Sequence, residues 1–332
     1  MAGESVTKSR KGFIGGSDIS SVVDLNPFKT KLQLYLEKRG LTEPEDESDA
    51  MRLGKKLEHI VKEEYILKSG NLVGSGKIMI DENFSFMAGH SDGYVVNGEG
   101  KPVKGVEFKT TSEFAFSGKW GEEYTDEIPM NYYLQVQWYM MLDGMPSYDV
   151  AVLVGGRKLK IYHVERNVET ILKLRNEARA FWNGNVLAKE PPPAEAGDGP
   201  ALATLYPEEK IHDCTAESDT IKLLRKLETF RNIRKSAEAN EETIKNQIKS
   251  HMKDAGLMLG ETGDRFYTVT WRKTQDGAPK PDWKAIAVKL LEQIVKPEEF
   301  DKAMNKLIGN HQTAGRKGVR RFTFNAKKKL GK

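Results

Sequence analysis

Ala88-Gly89-His90-Ser91-Asp92-Gly93-Tyr94, followed by Gly105-Val106-Glu107-Phe108-Lys109-Thr110, reads as two strands, the first carrying an aspartate at a turn. Residues two apart on a strand share a face. Glu107 and Lys109 therefore point one way, and Val106 and Phe108 point the other way, into a core. An Asp, a Glu and a Lys converging at a sheet edge can hold a divalent cation and a water for phosphodiester hydrolysis. A lone E-x-K pattern is common, and its bland reading is a structural Glu–Lys pair. The glycines on either side of Asp92 and the apolar setting of Glu107 make this one less ordinary, because buried charge is costly without a partner or a task.

Upstream, Phe13-Ile14-Gly15-Gly16-Ser17-Asp18-Ile19 reads as a glycine turn opening a short helix, with Ser17 at its N-cap. A helix is expected over 31–39, closed by Gly40, and an amphipathic helix over 51–69, closed by Gly70. Its apolar stripe is Leu53, Leu57, Ile60, Val61 and Ile66, with Glu58 at the stripe's edge. Strand-like runs follow at 76–81, 84–88, 93–96 and 103–110, with a turn at Asn97-Gly98-Glu99-Gly100. A nearly continuous apolar helix spans 131–142, and it contains Gln135 and Gln137. A hairpin over 150–154 and 159–164 turns at Gly155-Gly156, and a closing helix runs from 168 to 183.

The proline- and glycine-rich run from Lys189 to Pro200 reads as a linker, dividing a first domain, 1–188, from an accessory region, 201–332. That region is expected to be mainly helical. A long charged helix covers 218–252, with a narrow apolar seam of Ile221, Leu224, Leu227, Phe230, Ile233, Ile244, Ile248 and Met252. A strand at 266–271, helices at 282–295 and 297–308, and a basic strand at 319–324 complete it.

The 332 residues carry a net charge of only +4, but the charge is uneven. Eight basic residues and no acidic ones lie between Thr313 and Lys332, among them Arg316, Lys317, Arg320 and Arg321. Such a tail suits a polyanion or serves as a solubilising end. The single cysteine, Cys214, rules out an intrachain disulfide and a four-cysteine iron–sulfur cluster. No run of 18 apolar residues and no signal-type start occurs, so a soluble, cytoplasmic protein with no membrane partner is expected.

Mg²⁺ favours a few carboxylates plus water, with Mn²⁺ as a substitute. Asp92 and Glu107 are the candidate direct ligands, with the backbone carbonyl of Phe108 as a third and Glu58 completing a second ion or a water contact. Lys109 would orient or deprotonate the attacking water, or stabilise charge on the phosphate. Gln135 and Tyr139 share a helix face, and Gln135 could touch the scissile phosphate or simply bond to backbone. Ser17 and the amides after Gly15-Gly16 could cradle a phosphate that Arg10 also reaches.

Five segments in order then carry a resemblance: Ile14-Gly15-Gly16-Ser17-Asp18-Ile19, Arg52-Leu53-Gly54-Lys55-Lys56-Leu57-Glu58, Gly89-His90-Ser91-Asp92-Gly93, Val106-Glu107-Phe108-Lys109 and Leu134-Gln135-Val136-Gln137. Together they resemble the YqaJ-type viral recombinases, relatives of lambda exonuclease. The resemblance implies an α/β PD-(D/E)xK restriction-endonuclease-like core, with a mixed central sheet flanked by helices. It implies a Mg²⁺-dependent exonuclease that degrades one strand of linear duplex DNA from its 5′ end. The 3′ overhang would pass to a single-strand annealing protein in phage-type homologous recombination. Metal roles fall to Glu58, Asp92 and Glu107, catalytic roles to Lys109 and Gln135, and a 5′-phosphate pocket to Arg10 and Ser17. A ring-shaped homotrimer acting on double-stranded DNA ends in the cytoplasm of a bacterial host is likewise implied. His90-Ser91 departs from the Ser-Pro of the lambda-type loop, and region 201–332 is absent from the compact enzyme. Its expected uses are DNA binding through Arg316 to Lys332, or docking of a partner. A non-catalytic DNA-binding scaffold and an endonuclease of the same fold are the competing readings.

Overall fold

The computed structural model describes residues 10–42, 48–209, 213–262 and 265–272, with isolated positions at 288–289, 299 and 302–303. Arg316, Lys317, Arg320, Arg321 and the elements expected beyond residue 281 lie outside the described residues, apart from those isolated positions. After a 3-10 turn at Arg10–Gly12 come α1 (Ile19–Val22), α2 (Lys31–Arg39) and α3 (Asp49–Ser69). Strands β1 (Leu72–Ser75), β2 (Ile78–Ile80), β3 (Ala88–His90), β4 (Gly93–Val96) and β5 (Pro102–Thr111) follow. Then come α4 (Glu113–Phe116), α5 (Met130–Asp143), β6 (Ser147–Val154), β7 (Lys158–Glu165) and α6 (Val168–Phe181). A mixed sheet runs in the order β1-β4-β5-β6-β7, and only the β5–β6 pair is parallel. Among the described residues, no helix is long and apolar enough to cross a membrane.

The sheet has a core on each face, as the period-2 pattern requires. Val106 and Phe108 of β5 pack with Val95, Ala151, Leu153 and Ile161 under Val61 and Tyr65 of α3. Val150, Val152 and Tyr162 face the other way, into a larger core with α1, α2, α5 and α6. Of the expected stripe of α3, only Val61 is buried. Val61 and Tyr65, one turn apart, are buried, whereas Leu53 and Ile60 are exposed. In the first half of α3, Met51, Gly54, Lys55 and Glu58 line a cavity, and Leu53 and Ile60 do not.

Residues 88–96 change sheets midway. Ala88–His90 pairs with β2, and Gly93–Val96 pairs with β1 and β5. Ser91 and Asp92 are the crossing point. The β4–β5 pairing stops at Gly93↔Val106, while β5 continues to Thr111 beside β6. The sheet is therefore split beside Glu107, and Asp92 sits at the split. The expected strand over 84–88 is mainly turn, with pairing from Met87 onward, and Leu72–Ser75 is a strand that the pattern did not reveal.

At its C-terminal end, α6 does not stop at Gly184 but continues as a π-helical turn, Trp182–Leu187. The division between units also lies later than the proline run, after Glu208. Residues 189–205 belong to the first unit because buried Asp198 accepts from the Thr30 hydroxyl at 2.5 Å and from the Glu195 amide at 2.7 Å. The short helix α7 (Gly199–Leu205) follows, with Ala201 buried in the larger core. In the second unit, α8 (Ser218–Met252) is the expected long helix, and β8 (Leu257–Thr262) pairs with β9 (Arg265–Thr270). Of its apolar seam, Phe230 and Ile233 are more than half exposed among the described residues, and Met252 is buried.

Candidate active site

The split in the sheet opens into a cavity of about 910 Å³. Its wall includes Ser17, Glu58, Asp92, Glu107, Phe108, Lys109, Gln135 and Tyr139, so eight of the residues expected from the sequence meet there. The short turn containing Arg10 is described, but its side chain is not.

Glu107 is the centre of this wall. Its side chain is on the α5 face of β5 and is 2 % exposed as a residue. Its Oε1 accepts from Lys109 Nζ and from Gln135 Nε2, each at 2.6 Å. Its Oε2 is buried and has no hydrogen-bond partner among the described residues. Burial and then the neighbouring Asp92 charge push its pKa up to about 8. Asp92 is held by the backbone, since its Oδ2 accepts from the Phe108 amide at 2.8 Å. Glu58 reaches the site from α3, and its pKa is raised by burial and then by Asp92, against the pull of His90, Lys109 and Lys62.

Burial alone would lower the pKa of Lys109, but the Glu107 and Asp92 charges overcome it, and the net shift is upward. The ammonium also lies 5.2 Å from the centre of the Tyr132 ring, a cation–π contact. A lysine held this way keeps its proton at neutral pH.

Gln135 is buried and bridges, donating to Glu107 and, at 2.8 Å, to the Tyr139 hydroxyl. The Tyr139 ring is buried against the glycine turn: a Cβ on Gly16 would lie 2.4 Å from it. Only glycine permits that approach. Ser17 is exposed on the cavity wall and is not the N-cap of α1. Asp18 takes that place, and its Oδ2 turns back to the Gly15 amide at 3.0 Å and to the fully buried Lys38 ammonium at 2.8 Å.

Two further wall residues had a signal in the sequence that was overlooked. Tyr132 lies three positions before Gln135, and Lys55 lies three before Glu58, each on the same helix face. The apolar part of the wall includes Phe13, Met51, Ile78 and Ile80.

Among the described residues, no three His, Cys, Asp or Glu side chains are gathered closely enough to hold a metal ion as a set. One oxygen of Glu107 is turned to Lys109 and Gln135, and one oxygen of Asp92 to the Phe108 amide. The donors still fit a hard divalent cation. A buried carboxylate oxygen without a donor, beside a second carboxylate, is a site that lacks positive charge. Two carboxylates with backbone oxygen and water is the ligand pattern of Mg²⁺.

A family model described as the YqaJ-like viral recombinase domain matches residues 7–146. The uncharacterized protein YqaJ of Bacillus subtilis (strain 168) is 34% identical over 264 residues, which cover 76% of this chain and 78% of that protein. Among solved structures, an alkaline exonuclease (LHK-Exo) from Laribacter hongkongensis aligns with a TM-score of 0.45 at 18% identity, over 56% of this chain and 94% of that one. A phage related exonuclease from Haemophilus somnus 129PT aligns with a TM-score of 0.42 at 12% identity, over 53% of this chain and 95% of that one. The split sheet, with Asp92, Glu107 and Lys109 at its opening, is the mixed central sheet expected from the sequence, and the chain belongs to the YqaJ-like viral recombinase family.

Proposed function

We propose that this protein is a metal-dependent DNA exonuclease that hydrolyses linear duplex from the 5′ end and leaves 3′ single-stranded overhangs. The observation that carries the reading is Glu107, a buried carboxylate left one donor short beside Asp92, at the wall of a cavity wide enough for a nucleotide. Asp92, Glu107 and the Phe108 carbonyl would hold the cation, with Glu58 facing them. When bound, Mg²⁺ or Mn²⁺ polarises the phosphate and acidifies water. Lys109 then offers a fixed positive charge to the oxygens that gain charge as the P–O bond breaks. Gln135 holds Glu107 in one orientation and is itself held by Tyr139. Ser17, with Arg10 by resemblance, would take the 5′-phosphate.

Family membership supports action on DNA in recombination. The 5′-to-3′ polarity, the trimer, the annealing partner and the basic tail as a DNA contact remain parts of the proposal. One linear duplex, labelled separately at each 5′ and each 3′ end, tests it when digested with Mg²⁺, Mn²⁺ or EDTA beside a closed circle. Release of 5′ label that needs the metal, with the circle intact, is the expected result. Cutting of the circle would make it an endonuclease. Binding without degradation would make it a scaffold.

A further inference from the structure

The acidic wall of the site has a second opening. A cleft of about 420 Å³ lies against the same Glu58, Asp92 and Phe108, but its other walls are different. Lys55, His59 and Lys62 come from α3, at spacings of four and three, so they form one helix face. His90 and the Ser75-Gly76 turn close the opposite side. Gly76 is pressed onto the crossing point: a Cβ there would lie 1.7 Å from the Ser91 carbonyl oxygen. The cleft floor is thus the backbone that carries Asp92. His59 and Lys62 line this cleft and not the larger cavity, whereas Lys55, Glu58, His90, Asp92 and Phe108 border both.

We propose that this cleft is a binding site for the phosphodiester backbone of a single nucleic-acid strand, immediately beyond the scissile bond. A strand whose scissile phosphate lies over the carboxylates has one neighbouring nucleotide in the larger cavity. The other neighbour has a path along the cleft, which borders Glu58 and Asp92 and presents two lysines and two histidines. Phosphates attract such donors whatever the base sequence, and the cleft offers no deep apolar wall for a base. The cleft would receive the rest of the strand being degraded, and the larger cavity the nucleotide being removed. This assignment of sides rests on the exonuclease reading. The presence of a backbone track does not.

The test is the double variant His59→Gln/Lys62→Gln. Both side chains reach the surface, so thermal melting should match wild type. The first readout is fluorescence anisotropy of a labelled single-stranded 12-mer in EDTA across a salt series. The salt slope should become shallower by about 0.7 for each phosphate that the variant no longer neutralises. The second is kcat/KM on a long linear duplex with 5′-phosphates divided by kcat/KM on a 5′-phosphorylated dinucleotide, with Mg²⁺. This ratio should fall by about tenfold, the worth of a charge-assisted hydrogen bond. An unchanged slope with an unchanged ratio, in an enzyme that degrades both substrates, overturns the cleft and leaves the exonuclease reading standing. A wild-type protein that degrades neither substrate overturns the exonuclease reading. The salt slope then still decides the cleft.

Discussion

Two carboxylates are buried in the same sheet, on opposite faces, and they are treated differently. Asp149, on β6, is 4 % exposed, and both of its oxygens have donors: the Tyr65 hydroxyl and the Lys104 ammonium at 2.6 Å each, and His163 Nδ1 at 2.9 Å. Glu107, on β5, is 2 % exposed and has one oxygen without a donor. Asp149 is neutralised by groups the chain supplies and so belongs to the scaffold. Glu107 is left short of positive charge, and only something from outside the chain can complete it. The number of donors, rather than burial, separates the two roles.

Exchanging each acid for its amide tests that difference. Glu107→Gln should cut degradation by at least about a thousandfold, the scale of removing a central electrostatic group. It should leave the metal-free melting temperature at pH 8 unchanged or raised, because a neutral amide replaces an under-satisfied carboxylate. Asp149→Asn should do the reverse. Chemical denaturation should show a loss of about 3 kcal/mol, since Lys104 loses its counter-charge, while the folded fraction degrades DNA near the wild-type rate. An Asp149→Asn protein that is stable and inactive would break the comparison.

The pH dependence sharpens it. A carboxylate whose folded pKa is raised favours folding most fully below its ordinary value near 4.5, and loses that contribution as pH rises through about 8. Metal-free melting temperature should therefore fall across this window, partly through Glu58 as well. Mg²⁺ at pH 8 should recover the loss, and Glu107→Gln should flatten most of the slope. A slope that persists in Glu107→Gln would assign the titration to another group. The smallest effect expected is from Tyr65→Phe, which removes one of three donors to Asp149. A loss of about 1 kcal/mol in denaturant unfolding, without change in degradation, is the expected outcome.

Much of the site was legible because its signals are local. The i, i+2 spacing of Glu107 and Lys109 placed both on one face, opposite Val106 and Phe108, and the sheet keeps that arrangement. Gln135 stood out as polar on an apolar helix, and it bonds Glu107. What was hidden depends on distant partners. Leu53 and Ile60 fit a core stripe by period alone, and nothing local says that this half of the helix turns Met51, Gly54 and Glu58 to a cavity and leaves that pair exposed. The run from Lys189 to Pro200 has linker composition, yet buried Asp198 joins it to Thr30, a contact 168 positions apart. Gly16 read as a turn residue, but it also makes room for the Tyr139 ring.

The crossing at Ser91 and Asp92 bears on when the site can exist during synthesis. Asp92 is placed only after β3 has found β2 and β4 has found β5. Glu107 gains its Gln135 hydrogen bond only after α5 has docked, and the wall from Ser17 to Tyr139 spans most of the first unit. Such non-local assembly comes late in folding. A nascent chain therefore carries an incomplete cavity until Tyr139 has left the ribosome. A nuclease site of the kind proposed would stay inactive while the chain is still being made.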